Sequence, residues 1–212
     1  MTPKNCFIPK IPMKLDLGKT ELKINVSFAA AVTLMLILDV SGFCAVALFC
    51  CAVHEAGHII CLLIMGEKPK LIELSFYGVR LERAVMSENA GAWEPLVYAS
   101  GPAANFMLSA LLFVLGNKFP GLHGAAVTSL GIGIFNLIPC RPLDGGNLLS
   151  VLMCRFLNEK TADVICLAVK FLTVIPMGIT GVVMLVRNGN FTLIGVAVYL
   201  VSVDFFNKKS TI

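Results

Sequence analysis

Apolar residues fall into six long blocks along this 212-residue chain, at 24–38, 42–65, 96–115, 125–139, 163–186 and 191–206. A helix needs about 20 such residues to cross a hydrocarbon core of about 30 Å. Each block meets or nearly meets that length, the first and fourth being the shortest. The pattern predicts an all-α polytopic membrane protein with about six transmembrane helices. Between the second and third blocks, residues 66–94 are the least membrane-like interior stretch. Within it, residues 71–83 read LIELSFYGVRLER, a near-alternation around Gly78, which predicts a small β-hairpin or sheet at the membrane boundary after the second helix. An unpaired strand edge is not tolerated in lipid. This segment is therefore expected at the interface or lining a protein cavity, either as an ordinary surface hairpin or as a strand that pairs with a substrate.

No repeat, low-complexity tract or long linker interrupts the pattern. It divides the chain into a cytoplasmic or interfacial segment at 1–23, one six-span domain at 24–206 and a short cytoplasmic tail at 207–212. The first 23 residues contain five lysines, three prolines and no long apolar run, so no cleavable signal peptide is expected.

Composition agrees: 57% of residues are hydrophobic and 14% charged. With the amino terminus in the cytoplasm, fourteen of the 17 Lys and Arg residues fall on the inner side, Lys118 and Arg187 on the outer side and Lys170 within the fifth block. That bias supports six spans with both termini inside. The net charge of +4 thus reports topology. No basic cluster interleaved with aromatics is present, so no nucleic-acid partner is expected. The eight cysteines have neither zinc-knuckle spacing nor a secreted disulfide framework. They read as small apolar fillers, Cys140 included.

Candidate chemistry lies inside the second block. His54, Glu55, Ala56, Gly57 and His58 form a His-Glu-x-x-His string. Two histidines four apart project from one side of a helix and can share one tetrahedral zinc, with Glu55 placed to take a proton from water activated by the metal. Ionisable groups inside a membrane are costly and are usually functional. A catalytic zinc takes three protein ligands and keeps one position open, so a third ligand is required. After the fourth block the chain reads Asn136-Leu-Ile-Pro-Cys-Arg-Pro-Leu-Asp144-Gly-Gly, a helix broken by two prolines and followed by a flexible glycine pair. Broken backbone at membrane depth belongs in a protein interior or a watery cavity. The second and fourth blocks run in the same direction, which brings His58 and Asp144 to similar depth near the cytoplasmic side. Asp144 is the candidate third ligand, whereas Asp39, Glu88, Glu94 and Asp204 fall in turns or near span ends. The Asn136 amide has two open readings, donor to the oxygen of a tetrahedral intermediate or cap of the broken helix. Residues 100–105, Ser-Gly-Pro-Ala-Ala-Asn, are expected to pack helices closely, with Asn105 bonding across the contact.

Together, residues 54–58, 100–105, 136–139 and 142–146, in that order, resemble the site-2 protease family of intramembrane zinc metalloproteases, and within it the stage IV sporulation protein FB-like branch. The resemblance implies one zinc per chain held by His54, His58 and Asp144, with Glu55 as catalytic base and Asn136 in contact with substrate or intermediate. It implies cleavage of a membrane-tethered protein in or near its transmembrane segment, in contact with membrane lipid and in a bacterial cell membrane. A regulatory or inhibitory membrane protein is the other partner class it admits. The chain leaves no room for the PDZ insertion or appended CBS domain of many relatives, so control through such modules is not implied. The competing reading from another class is a metal-binding transporter or scaffold, which would need the ligands but not Glu55. A membrane-anchored peptidase acting on soluble proteins is a third.

Overall fold

A computed structural model of the protein describes residues 12–16, 21–67, 69–75, 78–83 and 90–208. Two strands, β1 (Pro12–Asp16) and β2 (Glu21–Asn25), precede helices α1 (Val26–Leu38) and α2 (Phe43–Ile64). Strands β3 (Pro69–Ser75) and β4 (Gly78–Arg83) follow, then α3 (Ala90–Gly116), α4 (Leu122–Asn136), α5 (Asp144–Phe156), α6 (Glu159–Asn188) and α7 (Thr192–Lys208).

The alternating segment after α2 does pair with itself: β3 and β4 are antiparallel, with Ser75 opposite Gly78. It also recruits the amino-terminal segment. β2 runs parallel to β3, Glu21 opposite Leu71, and β1 pairs antiparallel with β2, which completes a four-stranded sheet in the order β1-β2-β3-β4. Sharing a sheet satisfies the backbone groups that either segment alone would leave open.

Among the described residues, three helices are long and apolar enough to cross a membrane: Phe43–Ile64, Trp93–Gly116 and Glu159–Asn188. The outward faces of α2 and α6 are strongly apolar, with Ile64, Leu172 and Val186 among the most exposed side chains, as a lipid-facing surface requires. The other three predicted spans are helices of 13, 15 and 17 residues. At 1.5 Å per residue the first reaches only about 20 Å. Residues 24 and 25, expected in the span, belong to β2.

Small side chains let α2, α3 and α4 approach. On α2 the buried positions are Cys50, His54, His58 and Leu62, one residue every four. α3 answers with Val97, Gly101, Asn105 and Ser109, all buried at the same spacing. A Cβ on Gly57 would come within 2.7 Å of the Ser100 carbonyl and 2.8 Å of Ala104 Cβ, so the α2–α3 contact depends on that glycine. Ser109 Oγ donates to the Ala126 carbonyl at 2.8 Å and Ser129 Oγ to the Asn105 carbonyl at 2.9 Å, tying α3 to α4. Lipid supplies no hydrophobic drive between helices, so van der Waals packing and bonds of this kind hold the bundle together.

At the opposite end of α2, the turn before it is held by Asp39. Its carboxylate accepts from Ser41 Oγ at 2.6 Å, Ser41 N at 3.1 Å and Cys44 N at 2.6 Å. The Ser41 hydroxyl, then the Cys44 amide, favour the ionised form and lower the Asp39 pKa below the usual carboxylate range. A lowered folded pKa gives stability that is present above the unfolded value and lost as pH falls through the folded one. Asp39→Ala is therefore expected to lower the thermal midpoint slightly in detergent at pH 7, with the gap from wild type closing at strongly acidic pH. A constant gap across that range would show that the cap is not electrostatic.

Candidate metal centre

His54 and His58 lie one turn apart on the buried stripe of α2, 5% and 6% exposed, with ring centroids 4.9 Å apart and nearly perpendicular planes. Their Nε2 atoms face each other at 3.2 Å. Asp144 Oδ2 closes a triangle with them, 2.9 Å from His54 Nε2 and 3.1 Å from His58 Nε2. Among the described residues this is the group of His, Cys and acidic side chains whose ligand atoms come together in a way that could hold a metal ion.

The loop that delivers Asp144 is built by close backbone approach. α4 ends at Asn136 and α5 begins at Asp144. Cys140 and Leu143 in the intervening loop are buried against Val174 of α6 and Ala197 and Leu200 of α7, so the last two helices clamp it. The Arg141 guanidinium donates to Ser150 Oγ. A Cβ on Gly145 would fall 2.7 Å from the Ile138 carbonyl, and one on Gly146 2.8 Å from the Cys140 carbonyl. The pair expected from sequence to be flexible is thus buried and packed: only glycine lets the start of α5 fold back on the loop. Asp144 then sits in the first turn of α5, where free N–H groups and the helix dipole favour a carboxylate.

Donor chemistry agrees with a cation. His58 Nδ1 lies 2.7 Å from the Val97 carbonyl. A carbonyl only accepts, so Nδ1 carries the proton and Nε2 of the neutral ring presents a lone pair to the triangle. Ligand atoms around a tetrahedral zinc with bonds of about 2.0–2.2 Å lie about 3.3–3.6 Å apart. The triangle here is only slightly tighter, so the residues present fit zinc. Glu55 is half-buried on the same helix, next to His54. Asn136 Nδ2 donates to the Ile132 carbonyl at 3.0 Å, one turn back within α4.

Comparison with known proteins is consistent with this geometry. The model of "Peptidase family M50" matches residues 122–177, from α4 through the loop and α5 into α6. A Synechocystis protein named as a zinc metalloprotease is 31% identical over 124 residues, 53% of this chain and 31% of its own. A zinc metalloprotease of Methanocaldococcus jannaschii is 28% identical over 110 residues, 48% of this chain and 31% of its own. The solved site-2 protease from the same archaeon shares the fold with a TM-score of 0.63 at 20% identity, over 89% of this chain and 91% of that one. The chain thus shares the fold of that solved protease, and about half of its length is similar in sequence to proteins named zinc metalloproteases. It spans about a third of the length of the curated relatives it matches. Among the described residues, three helices are long and apolar enough to cross a bilayer, as an integral membrane protein requires.

Sequence reasoning missed what α3 does. Residues 100–105 were expected to pack helices, with Asn105 bonding across the contact to no named partner. In the structure a Cβ on Gly101 would lie 2.8 Å from His54 Nε2 and closer still to His58 Nε2. Asn105 Nδ2 lies 3.3 Å from His54 Nδ1. The signal was present as the four-residue spacing of Val97, Gly101, Asn105 and Ser109, which marks one face of a helix.

Proposed function

We propose that this chain is a zinc metalloendopeptidase of the site-2 protease type, hydrolysing peptide bonds in or near the transmembrane segment of a membrane-tethered protein. The observation that carries the reading is the 2.9–3.2 Å triangle of His54, His58 and Asp144 ligand atoms beside a glutamate on an apolar helix. Zinc held by these three residues would supply Lewis-acid activation of water and of a peptide carbonyl. Glu55 takes the proton from the attacking water and returns it to the leaving amine. The Asn136 amide has two N–H donors. One is spent on Ile132 and the second is assigned to the substrate carbonyl or oxyanion. A scissile peptide in an intact helix is shielded by its own hydrogen bonds, so the substrate must uncoil locally before it is cut.

Topologically, the proposal places six spans in a bacterial cell membrane with both termini in the cytoplasm, α1, α4 and α7 crossing where the protein interior shortens the apolar path. The order of the motifs at 54–58, 100–105 and 136–146 supports the stage IV sporulation protein FB-like branch, and regulated release of a cytoplasmic product as the use of the activity. Co-reconstitution with a membrane-tethered substrate tests it. Glu55→Gln is expected to keep zinc and lower the cleavage rate by about 10²-fold or more. Equal fragment release by wild type and the variant would return the chain to the transporter or scaffold reading. Cleavage of soluble proteins alone would favour the membrane-anchored peptidase.

A further inference from the structure

The two imidazoles of the triangle need more than lone pairs aimed inward. A neutral histidine presents a lone pair at Nε2 only when Nδ1 holds the proton, and a buried N–H without an acceptor is costly. For His58 the acceptor is the Val97 carbonyl at 2.7 Å. For His54 the facing group is the side-chain amide of Asn105, 3.3 Å away, two helical turns further along the same stripe of α3.

Asn105 is fully buried, and its Oδ1 has no hydrogen-bond partner. With Nδ2 toward the ring, the amide donates to a bare Nδ1. The His54 proton is then forced onto Nε2, inside the triangle, where it faces Asp144 Oδ2 and the His58 Nε2 lone pair. Nitrogen and oxygen of a carboxamide occupy nearly the same volume, so a half-turn about Cβ–Cγ exchanges them without displacing a neighbour. After that exchange the orphaned Oδ1 accepts from Nδ1–H, and Nε2 turns a lone pair toward Asp144 and His58.

We propose that Asn105 is a positioning residue, whose side-chain carbonyl accepts the Nδ1 proton of His54 and so fixes the tautomer in which His54 Nε2 can bind a metal. The inference rests on the zinc-site reading above. Asn105 then does for His54 what a backbone carbonyl does for His58. α3 thereby sets both rings, and packing is only the second half of its role. Only a side chain that both donates and accepts can serve the protonated triangle and the metal-ready one with the same atoms.

The test is zinc affinity, measured on purified full-length protein by competition with a chromophoric chelator. Asn105→Leu keeps the volume and removes the acceptor. It is expected to weaken zinc binding by about 10- to 100-fold, the range found when the partner of a ligating histidine is removed. Asn105→Asp, which can only accept, is expected to stay within about threefold of wild type. Ser109→Ala removes a buried α3–α4 hydrogen bond away from the triangle and is expected to leave affinity unchanged. Wild-type affinity in Asn105→Leu overturns the inference, as does an equal loss in Asn105→Leu and Ser109→Ala, or an Asn105→Asp loss as large as that of Asn105→Leu. Wild-type protein that binds no zinc overturns the zinc site itself, a different result from any of these.

Discussion

Replacing Gly101 by alanine is expected to abolish zinc retention and cleavage together while the helices remain. The added methyl would stand 2.8 Å from His54 Nε2 and closer to His58 Nε2, against the atoms that face Asp144. Neither ring has a free direction in which to yield. His58 is held through Nδ1 by Val97 on α3, the helix that carries the intruding methyl. Overpacking of this kind costs about 1–3 kcal/mol in a tight core, which a bundle tied by several buried bonds can bear. The same displacement moves two ligands off a small ion. Gly131→Ala is the matched control, since a Cβ there meets nothing within 4 Å. Metal content by mass spectrometry and helicity by circular dichroism separate the outcomes. Stoichiometric zinc and normal cleavage in Gly101→Ala would mean that the triangle is not where the metal sits.

Removing Asp144 should be almost as severe, by a different route. A structural zinc with four ligands is bound with about 10–16 kcal/mol, or about 2.5–4 kcal/mol per ligand if shared evenly. At 1.4 kcal/mol per factor of ten, Asp144→Ala is expected to weaken zinc binding by about 10²–10³-fold and to bring cleavage below detection. Asp144→Asn keeps the shape but not the charge and should fall between. Its side chain is 16% exposed, so the loss arises in a partly buried site where water replaces a carboxylate poorly. Chelator competition on the purified variants reads it directly. Affinity unchanged in Asp144→Ala would leave the two histidines with a different third partner.

On the proposed mechanism Glu55→Gln differs from both in kind, because it spares the proposed ligands and removes only the proposed proton carrier. Loss of cleavage with zinc retained therefore distinguishes chemistry from assembly. Asn105→Leu stands between, weakening the site without touching a ligand.

The central pentad was legible in the sequence because its geometry is local. Residues four apart on a helix share a face whatever surrounds them, so His54, Glu55 and His58 were placed as soon as the second apolar block was read as a helix. Length and apolarity likewise determined the long helices α2, α3 and α6, and alternation around Gly78 determined the β3–β4 pairing. Asp144 could be nominated because an acid after a broken span has few other reasons to be there. Tertiary structure alone decided how the rest meets. Apolar runs such as 24–38 and 125–139 suit a span or a shorter buried helix equally, and their ends are set by what they pack against. Nothing local says that residues 12–25 join the sheet of 69–83, or that α5 starts at Asp144 because Gly145 and Gly146 press on the loop before it. The placement of Gly101 and Asn105 against histidines more than forty positions away arises because the buried stripe of α2 meets the stripe of α3 that carries them. That register is a property of two surfaces together, which neither segment encodes by itself.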